Sequence, residues 1–111
     1  MFKIQESLDG EIGVLKVSGV MMDPSAMALP EKIKELKLKQ IILDLSEVKL
    51  MNSCYGLGAI TVCWGLMNRS GGELKIANPS PKVSQLLEIT KLNQVIKVYD
   101  SVKKARTAIQ K

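Results

Sequence analysis

The stretch IILDLSEVKLMNSCYGLGAI, residues 41–60, decides the fold that the sequence predicts. The apolar run at 40–44 is typical of a central strand that is covered on both faces. Asn52 and Ser53 are residue types that favour the N-cap of a helix. From Tyr55 to Met67 the residues are apolar almost all round, which predicts the most buried helix of the domain. The stretch therefore predicts a strand, a short loop and a core helix in succession.

Three glycines fall within or beside this predicted helix, at Gly56, Gly58 and Gly65. Glycine lowers helix propensity, so each one needs a reason to be there. We interpret them as positions at which the helix packs closely against the sheet.

Strand patterns recur on both sides of this stretch. Including the central one, the predicted strands are 2–6, 13–18, 40–44, 73–77 and 95–98. Asp9-Gly10 is a hairpin signal between the first two strands. Residues 19–23 are expected to form a loop that leads to the first helix.

Helix start signals separate the strands. Asp23-Pro24 and Ser80-Pro81 each combine a capping residue with a proline at the first helical position. Asp100 or Ser101 is expected to cap a last helix. Pro30 complicates the first helix, because an interior proline removes a hydrogen bond and clashes with the preceding turn. That helix is expected either to break near residue 29 or to begin there.

The element order β-β-α-β-α-β-α-β-α predicts an α/β fold. Alternating strands and helices imply parallel pairing with right-handed crossovers, and the first hairpin adds an antiparallel edge. We expect a small mixed β-sheet, an N-terminal hairpin plus parallel strands, packed by about four helices. A length of 111 residues with 46% hydrophobic and 24% charged residues predicts a single domain over residues 1–111.

The composition argues against several classes of catalytic and metal site. Histidine is absent from the sequence, which removes histidine-activated nucleophiles and histidine-ligated metals. Cys54 and Cys63 are expected to lie too far apart for a disulfide and to be free thiols. A helix N-terminus would suit a redox-sensing thiol at Cys54, but we interpret it as a buried structural cysteine. We expect no metal, no cofactor and no enzymatic activity.

The net charge of +5 raises the question of nucleic-acid binding. Arginine makes the bidentate contacts to bases and phosphates, and Arg69 and Arg106 are the two arginines of the chain. The aromatic residues do not interleave with the lysines, as a stacking surface for single strands would require. We therefore expect no nucleic-acid partner, and a protein partner with an acidic surface instead.

Residues 50–68 carry no charge over 19 positions, a length sufficient to span a bilayer. Asn52, Ser53 and Thr61 interrupt this stretch, which lies between predicted strands. We expect a loop that runs into a core helix, and no direct insertion into a membrane. The N-terminus has acidic residues and no long apolar core, so a signal peptide is not predicted and a cytoplasmic location is expected.

Downstream, three segments carry a family pattern: RSGGELKIANPSPKV (69–83), LLEITKLNQV (86–95) and IKVYDSVKKA (96–105). Together with residues 41–60 they resemble the STAS family, the domain shared by bacterial anti-sigma factor antagonists and sulphate transporters. The shared features are a Gly-Gly-x-Leu strand, a Ser-Pro helix start, a Leu-Glu-x-Thr-x-Leu turn and a Tyr-Asp-Ser ending. The resemblance covers almost the whole chain and implies a stand-alone antagonist with the STAS fold.

The resemblance implies an anti-sigma factor antagonist that regulates sigma-factor-dependent transcription by partner switching. Its partner would be an anti-sigma factor that is itself a serine kinase of the GHKL type. In that family the loop reads D-S-S-G-L-G, and the kinase phosphorylates the second serine. A phosphate at a helix N-terminus meets free N–H groups and adds negative charge to the binding surface.

The loop of this chain departs from that pattern. Asn52 replaces the leading aspartate, and one extra residue precedes Gly56. Counted from the left, Cys54 falls at the phosphoacceptor position, whereas Tyr55 falls there when counted back from Gly56. Three interpretations stay open: Ser53 is shifted into the acceptor position, the switch is lost, or tyrosine or cysteine chemistry replaces it. Ser53 is the candidate phosphorylation site.

In STAS folds the loop before the first helix lies beside this site, so Met21, Met22 and Asp23 are expected to line the partner surface. The complete predicted partner-binding set is Met22, Asp23, Asn52, Ser53, Cys54, Tyr55 and Gly56. The alternative is a STAS subunit of a lipid-transport ABC complex that has no phosphate switch. Homodimer formation is left open.

Overall fold

Five strands form one sheet in the computed structural model, which describes residues 2–52 and 54–109. The strands are β1 (Lys3–Asp9), β2 (Ile12–Met21), β3 (Gln40–Met51), β4 (Glu73–Ala77) and β5 (Val98–Tyr99). The helices are α1 (Ala28–Leu36), α2 (Gly56–Arg69), α3 (Pro81–Ile89) and α4 (Val102–Ile109), with 3-10 turns at Pro24–Met27 and Leu92–Gln94. The predicted element order and the mixed α/β sheet are confirmed.

The sheet order is β1-β2-β3-β4-β5. β1 and β2 pair antiparallel across a turn in which Gly10 has a φ of +67°, a conformation that favours glycine. The pairs β2–β3, β3–β4 and β4–β5 are parallel. The predicted hairpin therefore forms the antiparallel edge of an otherwise parallel sheet.

β2 and β3 continue further than their apolar runs predicted. The expected loop at 19–23 and the expected strand end at residue 44 are wrong, because residues 18–21 of β2 pair with residues 47–51 of β3. This pairing contains two register shifts, and such bulges interrupt the alternation by which a strand is recognised in a sequence. The extension brings Met21 and Met51 side by side at the strand ends.

The helices cover both faces of the sheet. Helices α1, α2 and α3 pack on one face, where Leu15, Leu43 and Ile76 belong to the larger core cluster. On the other face Ala105 of α4 packs with Ile12, Ile42 and Ala77. The central strand β3 is therefore buried from both sides, as its continuous apolar run predicted.

α1 begins close to its proline, and β5 starts later than its apolar run predicted. Pro30 is the third residue of α1, where helix N–H groups lack intrahelical acceptors, so the prediction of a helix beginning near residue 29 is confirmed. The predicted strand at 95–98 is instead Val98–Tyr99. A 3-10 turn precedes it, and Val95 is 51% exposed rather than paired in the sheet.

The interpretation of the three glycines is correct for one of them. A Cβ at Gly56 would overlap Cγ of Met51 and would lie 2.9 Å from the carbonyl oxygen of Met21. At Gly58 and Gly65 a Cβ would meet no atom within 4 Å, so the prediction of close packing is wrong there. Those two glycines lie on open parts of the helix surface.

Within residues 2–52 and 54–109, every helix falls short of the length and apolar composition that a membrane crossing requires. The uncharged stretch 50–68 is divided between the end of β3, the loop and α2. This division agrees with the prediction of a loop that runs into a core helix.

Candidate functional site

The loops that follow β2 and β3 lie together at one end of the sheet. Met21 and Met51, the last residues of these strands, are register partners. Because neighbouring parallel strands point in the same direction, residues 22–23 emerge at the same end as residues 52, 54 and 55. The structure thus brings together the two segments that were predicted to form one site.

Asn52 bonds to the end of β2. Its backbone N–H donates to the carbonyl of Met21 at 3.2 Å. Its side-chain Nδ2 donates to the carbonyl of Met22 at 3.1 Å. Two backbone carbonyls of the neighbouring segment are therefore held by one residue.

Asn52 also organises the start of α2. Its Oδ1 accepts hydrogen bonds from the N–H groups of Tyr55 at 2.7 Å and Gly56 at 3.2 Å. Its carbonyl accepts from the N–H of Leu57 at 3.0 Å. The N-cap position of α2 is Tyr55, which makes no side-chain cap, so the N-cap predicted at Asn52 lies three residues too early. Asn52 still caps the helix from outside, because its oxygens satisfy N–H groups that lack intrahelical acceptors.

These hydrogen bonds reduce the number of free N–H donors that an anion could bind at the start of α2. Free N–H groups and the positive end of the helix dipole normally make such a start attractive to a phosphate. Here the N–H groups of Tyr55, Gly56 and Leu57 already donate to Asn52. Two uncharged oxygens of Asn52, its Oδ1 and its backbone carbonyl, therefore stand where an anion would otherwise bind.

Four of the predicted site residues are on the surface. Met22 is 43% exposed and Tyr55 is 39% exposed. Asp23 and Cys54 are also exposed. The surface at the two loops is therefore mixed apolar and polar: it combines the thioether of Met22 and the carboxylate of Asp23 with the thiol of Cys54 and the phenol of Tyr55.

Met21 and Cys54 differ from expectation. Met21 has no exposed surface, so its predicted place on the partner surface is wrong. Its position at the end of β2 points it into the larger core cluster. Cys54 is exposed, so its interpretation as a buried structural cysteine is also wrong, because it precedes the packed part of α2.

Gly56 and Asn52 support this surface from beneath it. Gly56 is buried, so it shapes the loop by close packing and offers no side chain to a partner. Asn52 is half-buried and holds the loop through its hydrogen bonds. Ser53, the candidate phosphorylation site, lies outside the described residues.

The carboxylate of Asp23 caps the 3-10 turn that precedes α1. Its Oδ1 accepts from the N–H of Ser25 at 2.8 Å and from the Ser25 hydroxyl. These hydrogen bonds favour the charged form and lower the pKa of Asp23. The site therefore carries a fixed negative charge next to Met22.

The two free cysteines differ in their surroundings. Burial raises the pKa of the Cys63 thiol to about 12, because the charged thiolate is poorly solvated inside the core. Cys63 is therefore a neutral core side chain. In the part of the chain that the structure describes, there is no cluster of three acidic, cysteine or histidine side chains able to hold a metal ion.

Two exposed apolar residues near these segments were not predicted. Met27, at the end of the 3-10 turn, is 37% exposed, and Leu50, two positions before Asn52, is 43% exposed. Helical spacing from Ala26 and Leu29 already placed Met27 off the buried face, so the signal for it was present. Leu50 had no such signal, because the bulged part of β3 was expected to lie outside a strand.

Comparison with known proteins identifies the fold family. The model of the STAS domain matches residues 3–105. The chain belongs to the STAS family. The resemblance found in the sequence is therefore confirmed.

Several known proteins align with this chain over almost their whole length. The anti-sigma F factor antagonist of Paenibacillus polymyxa is 29% identical over an alignment of 113 positions, which covers 96% of this chain and 96% of the relative. The crystal structure of a putative anti-sigma factor antagonist from Thermotoga maritima has a TM-score of 0.90 at 20% identity, covering 97% of this chain and 95% of that one. Unphosphorylated SpoIIAA, an anti-sigma factor antagonist, has a TM-score of 0.79 at 18% identity, covering 99% and 96%. These structures share the fold of the STAS domain described here.

Proposed function

We propose that this STAS protein is an anti-sigma factor antagonist that binds an anti-sigma factor through the surface at Met22, Asp23, Cys54 and Tyr55. The relative from Paenibacillus polymyxa, which aligns with 96% of this chain, carries that name. By occupying the anti-sigma factor, the antagonist releases a sigma factor and thereby regulates transcription in the cytoplasm. The proposed role is binding without catalysis.

The observation that carries this proposal is the pair of loops held together by Asn52. Hydrogen bonds to both segments fix the surface before a partner arrives, which limits the entropy lost on binding. Tyr55 supplies a rigid aromatic side chain of the kind that anchors interfaces. Met22 adds a flexible thioether that adapts to the shape of a partner.

The finer part of the proposal concerns control of this surface. The partner is a serine kinase of the GHKL type, which transfers the γ-phosphoryl group of ATP to the Ser53 hydroxyl and releases ADP and a proton. A phosphate adds roughly −1.5 to −2 charges to the loop. The N–H groups of Tyr55 and Gly56 are bonded to Asn52, so they are not free to stabilise the phosphate. Asp23 already carries a negative charge at the same surface. The added charge therefore acts mainly by weakening partner binding.

Binding to the GHKL-type anti-sigma factors of the host, measured by calorimetry, tests the surface. Tyr55→Ala is expected to weaken binding at least about tenfold, as loss of an interface anchor does. Ile89→Ala is the matched control, because Ile89 is an exposed apolar residue, 69% accessible, at the end of α3. Equal affinities for wild type and Tyr55→Ala would reject this surface.

A second experiment tests the control step separately. Purified kinase and ATP are expected to add one phosphate to the wild-type chain and none to Ser53→Ala, as read by mass spectrometry. Ser53→Glu is expected to bind the kinase more weakly than Ser53→Ala. Phosphate on another residue, or equal binding by the two variants, would reject Ser53 as the switch while leaving the binding surface intact.

The second candidate is a STAS subunit of a lipid-transport ABC complex. The bonded N–H groups at the start of α2 favour it, because they suit a loop that remains unmodified. Affinity purification from the host distinguishes the two functions. A kinase-like anti-sigma factor among the captured proteins supports the first, and a transporter ATPase with an unmodified 50–69 peptide supports the second.

A further inference from the structure

A cavity of about 310 Å³ lies at the end of β3 opposite the Asn52 loop. It is formed by the C-terminal ends of α1 and α2 and by the residues that lead into β3. The residues that line it include Ile33, Lys37, Leu38, Lys39, Leu66 and Met67. Its volume is at the lower end of the range of about 300–1,000 Å³ typical of small-molecule sites.

The floor of this cavity is apolar. Ile33 and Met67 are almost fully buried, and Leu38 and Leu66 are partly buried against the core. A second cavity of about 280 Å³ shares Leu38 and extends towards Leu8 of the hairpin. Leu38 therefore forms part of the wall of both cavities.

The rim of the cavity is cationic. Lys34 has an acidic partner, since its Nζ lies 3.6 Å from Oε2 of Glu31. Lys39 donates to the carbonyl of Ser70, and neither Lys37 nor Lys39 forms an ion pair within residues 2–52 and 54–109. Two helix C-termini contribute roughly half a negative charge each, so the two lysines leave about one positive charge in excess.

Lys37 occupies a backbone conformation that favours glycine. It follows the last residue of α1 with φ 51° and ψ 37°, the left-handed region in which helices commonly end with glycine. A side chain at such a position costs some stability relative to glycine. The Lys37 side chain places a cation at the rim of the apolar cavity.

We propose that this cavity binds a medium-chain fatty acid. Its alkyl chain would lie along Leu38 and Leu66, and its carboxylate would pair with Lys37 and Lys39. An apolar chamber with a few convergent charged groups is the usual form of a site for such a ligand. The site lies away from the Asn52 loop and is independent of the proposed antagonist function.

Titration of the full chain with decanoate, below its micelle concentration, tests this proposal by calorimetry and by amide chemical shifts. We expect saturable binding with shifts concentrated at residues 37–39 and 66–70. Decanol and decyltrimethylammonium carry the same alkyl chain without the negative charge, and both are expected to bind more weakly. Absence of saturable binding, shifts located elsewhere, or equal affinity for the three compounds would overturn the proposal.

Variants at Lys37 separate ligand binding from folding. Lys37→Gly removes the charge while relieving the left-handed conformation, so it is expected to raise the melting temperature and to weaken decanoate binding about three- to fivefold. Lys37→Gln is expected to weaken binding by a similar factor. Lys103→Gln on α4 is the matched control, since it removes an exposed lysine outside this cavity. Unchanged decanoate affinity in both Lys37 variants would reject the assigned role of this lysine.

Discussion

At the scale of single residues, Asn52 connects the two loops because its amide both donates and accepts. An aspartate, which the related loop pattern has at this place, keeps the oxygens that cap α2 but cannot donate to the carbonyl of Met22. Asn52 thus performs the capping role and adds a bond to the end of β2. This difference can be measured by comparing two substitutions.

Asn52→Ala is expected to lower the free energy of unfolding by about 1–2 kcal/mol, because the cap of α2 is lost. Asn52→Asp is expected to be less destabilising, since its carboxylate still accepts from Tyr55 and Gly56 and interacts favourably with the helix dipole. Urea unfolding measures both changes. If both variants lowered the free energy of unfolding equally, the cap of α2 would contribute little, and the hydrogen bond from Asn52 Nδ2 to the Met22 carbonyl would dominate.

Gly56 has a packing role that the other glycines of α2 lack. Gly56→Ala is expected to lower the free energy of unfolding by about 1–3 kcal/mol, because its Cβ would overlap Met51 and the carbonyl of Met21. Gly65→Ala is the matched control on the same helix, where the new methyl group meets no atom within 4 Å. It is expected to raise the free energy of unfolding by about 0.5–1 kcal/mol through helix propensity. Thermal unfolding of the two variants would contradict this account if both shifts had the same sign.

At the scale of elements, α3 depends on the serine that precedes it. The Ser80 hydroxyl accepts from the N–H of Val83 at 3.4 Å and donates to the carbonyl of Val48 at 3.3 Å. It therefore caps α3 and joins it to β3. Pro81 follows at the first helical position, as the sequence predicted.

Ser80→Ala is expected to lower the free energy of unfolding by about 1 kcal/mol, the usual cost of a lost N-cap. Ser84→Ala is the control, since Ser84 lies inside α3 and its hydroxyl forms no hydrogen bond to the residues that the structure describes. Alanine has the higher helix propensity there, so stability should be retained or slightly raised. Urea midpoints that fall equally in the two variants would reject the capping role of Ser80.

The elements that the sequence predicted well are those with local signals. Asp9-Gly10 determines the hairpin turn, Asp23-Pro24 the 3-10 turn before α1, and Ser80-Pro81 the start of α3, each through its own backbone preferences. The extension of β2 and β3 was missed, because it depends on pairing between distant segments and includes bulges.

The candidate site was predicted in outline and missed in detail for a related reason. The family pattern located the loop, and strand direction explains why the segment after β2 lies beside it. Whether Met21 or Met22 faces the core depends on the strand continuing to residue 21, which the apolar pattern did not indicate. Likewise, the exposure of Cys54 follows from where α2 begins, and helix boundaries are poorly determined by spacing alone.

At the scale of the whole molecule, the two faces of the sheet are covered by layers of different size. Three helices cover one face, and α4 packs on the other through a cluster that includes Ala105, Ile12 and Ile42. An ion pair between Arg106 of α4 and Asp9 of β1 connects elements from opposite ends of the described chain. Because β3 contributes to both clusters, loss of either layer exposes the central strand.

Ala105→Leu tests whether the layers unfold together. Ala105 has no exposed surface, so a larger side chain would push α4 from the sheet and lower the free energy of unfolding by about 1–3 kcal/mol. Ala108→Leu is the control, because Ala108 lines an open cavity of about 530 Å³, and its effect should stay within about 0.5 kcal/mol.

Native-state hydrogen exchange shows which elements lose stability in Ala105→Leu. Backbone amides of β3 exchange through global unfolding when the sheet and its helices form one cooperative unit. We expect Ala105→Leu to lower the opening free energy of the β3 amides at Ile41–Leu43 by the amount measured in urea. Unchanged protection in β3 with faster exchange in α4 would instead make α4 a separately unfolding layer. Cooperative loss is the expected result, because Ile42 of the central strand packs in the same cluster as Ala105.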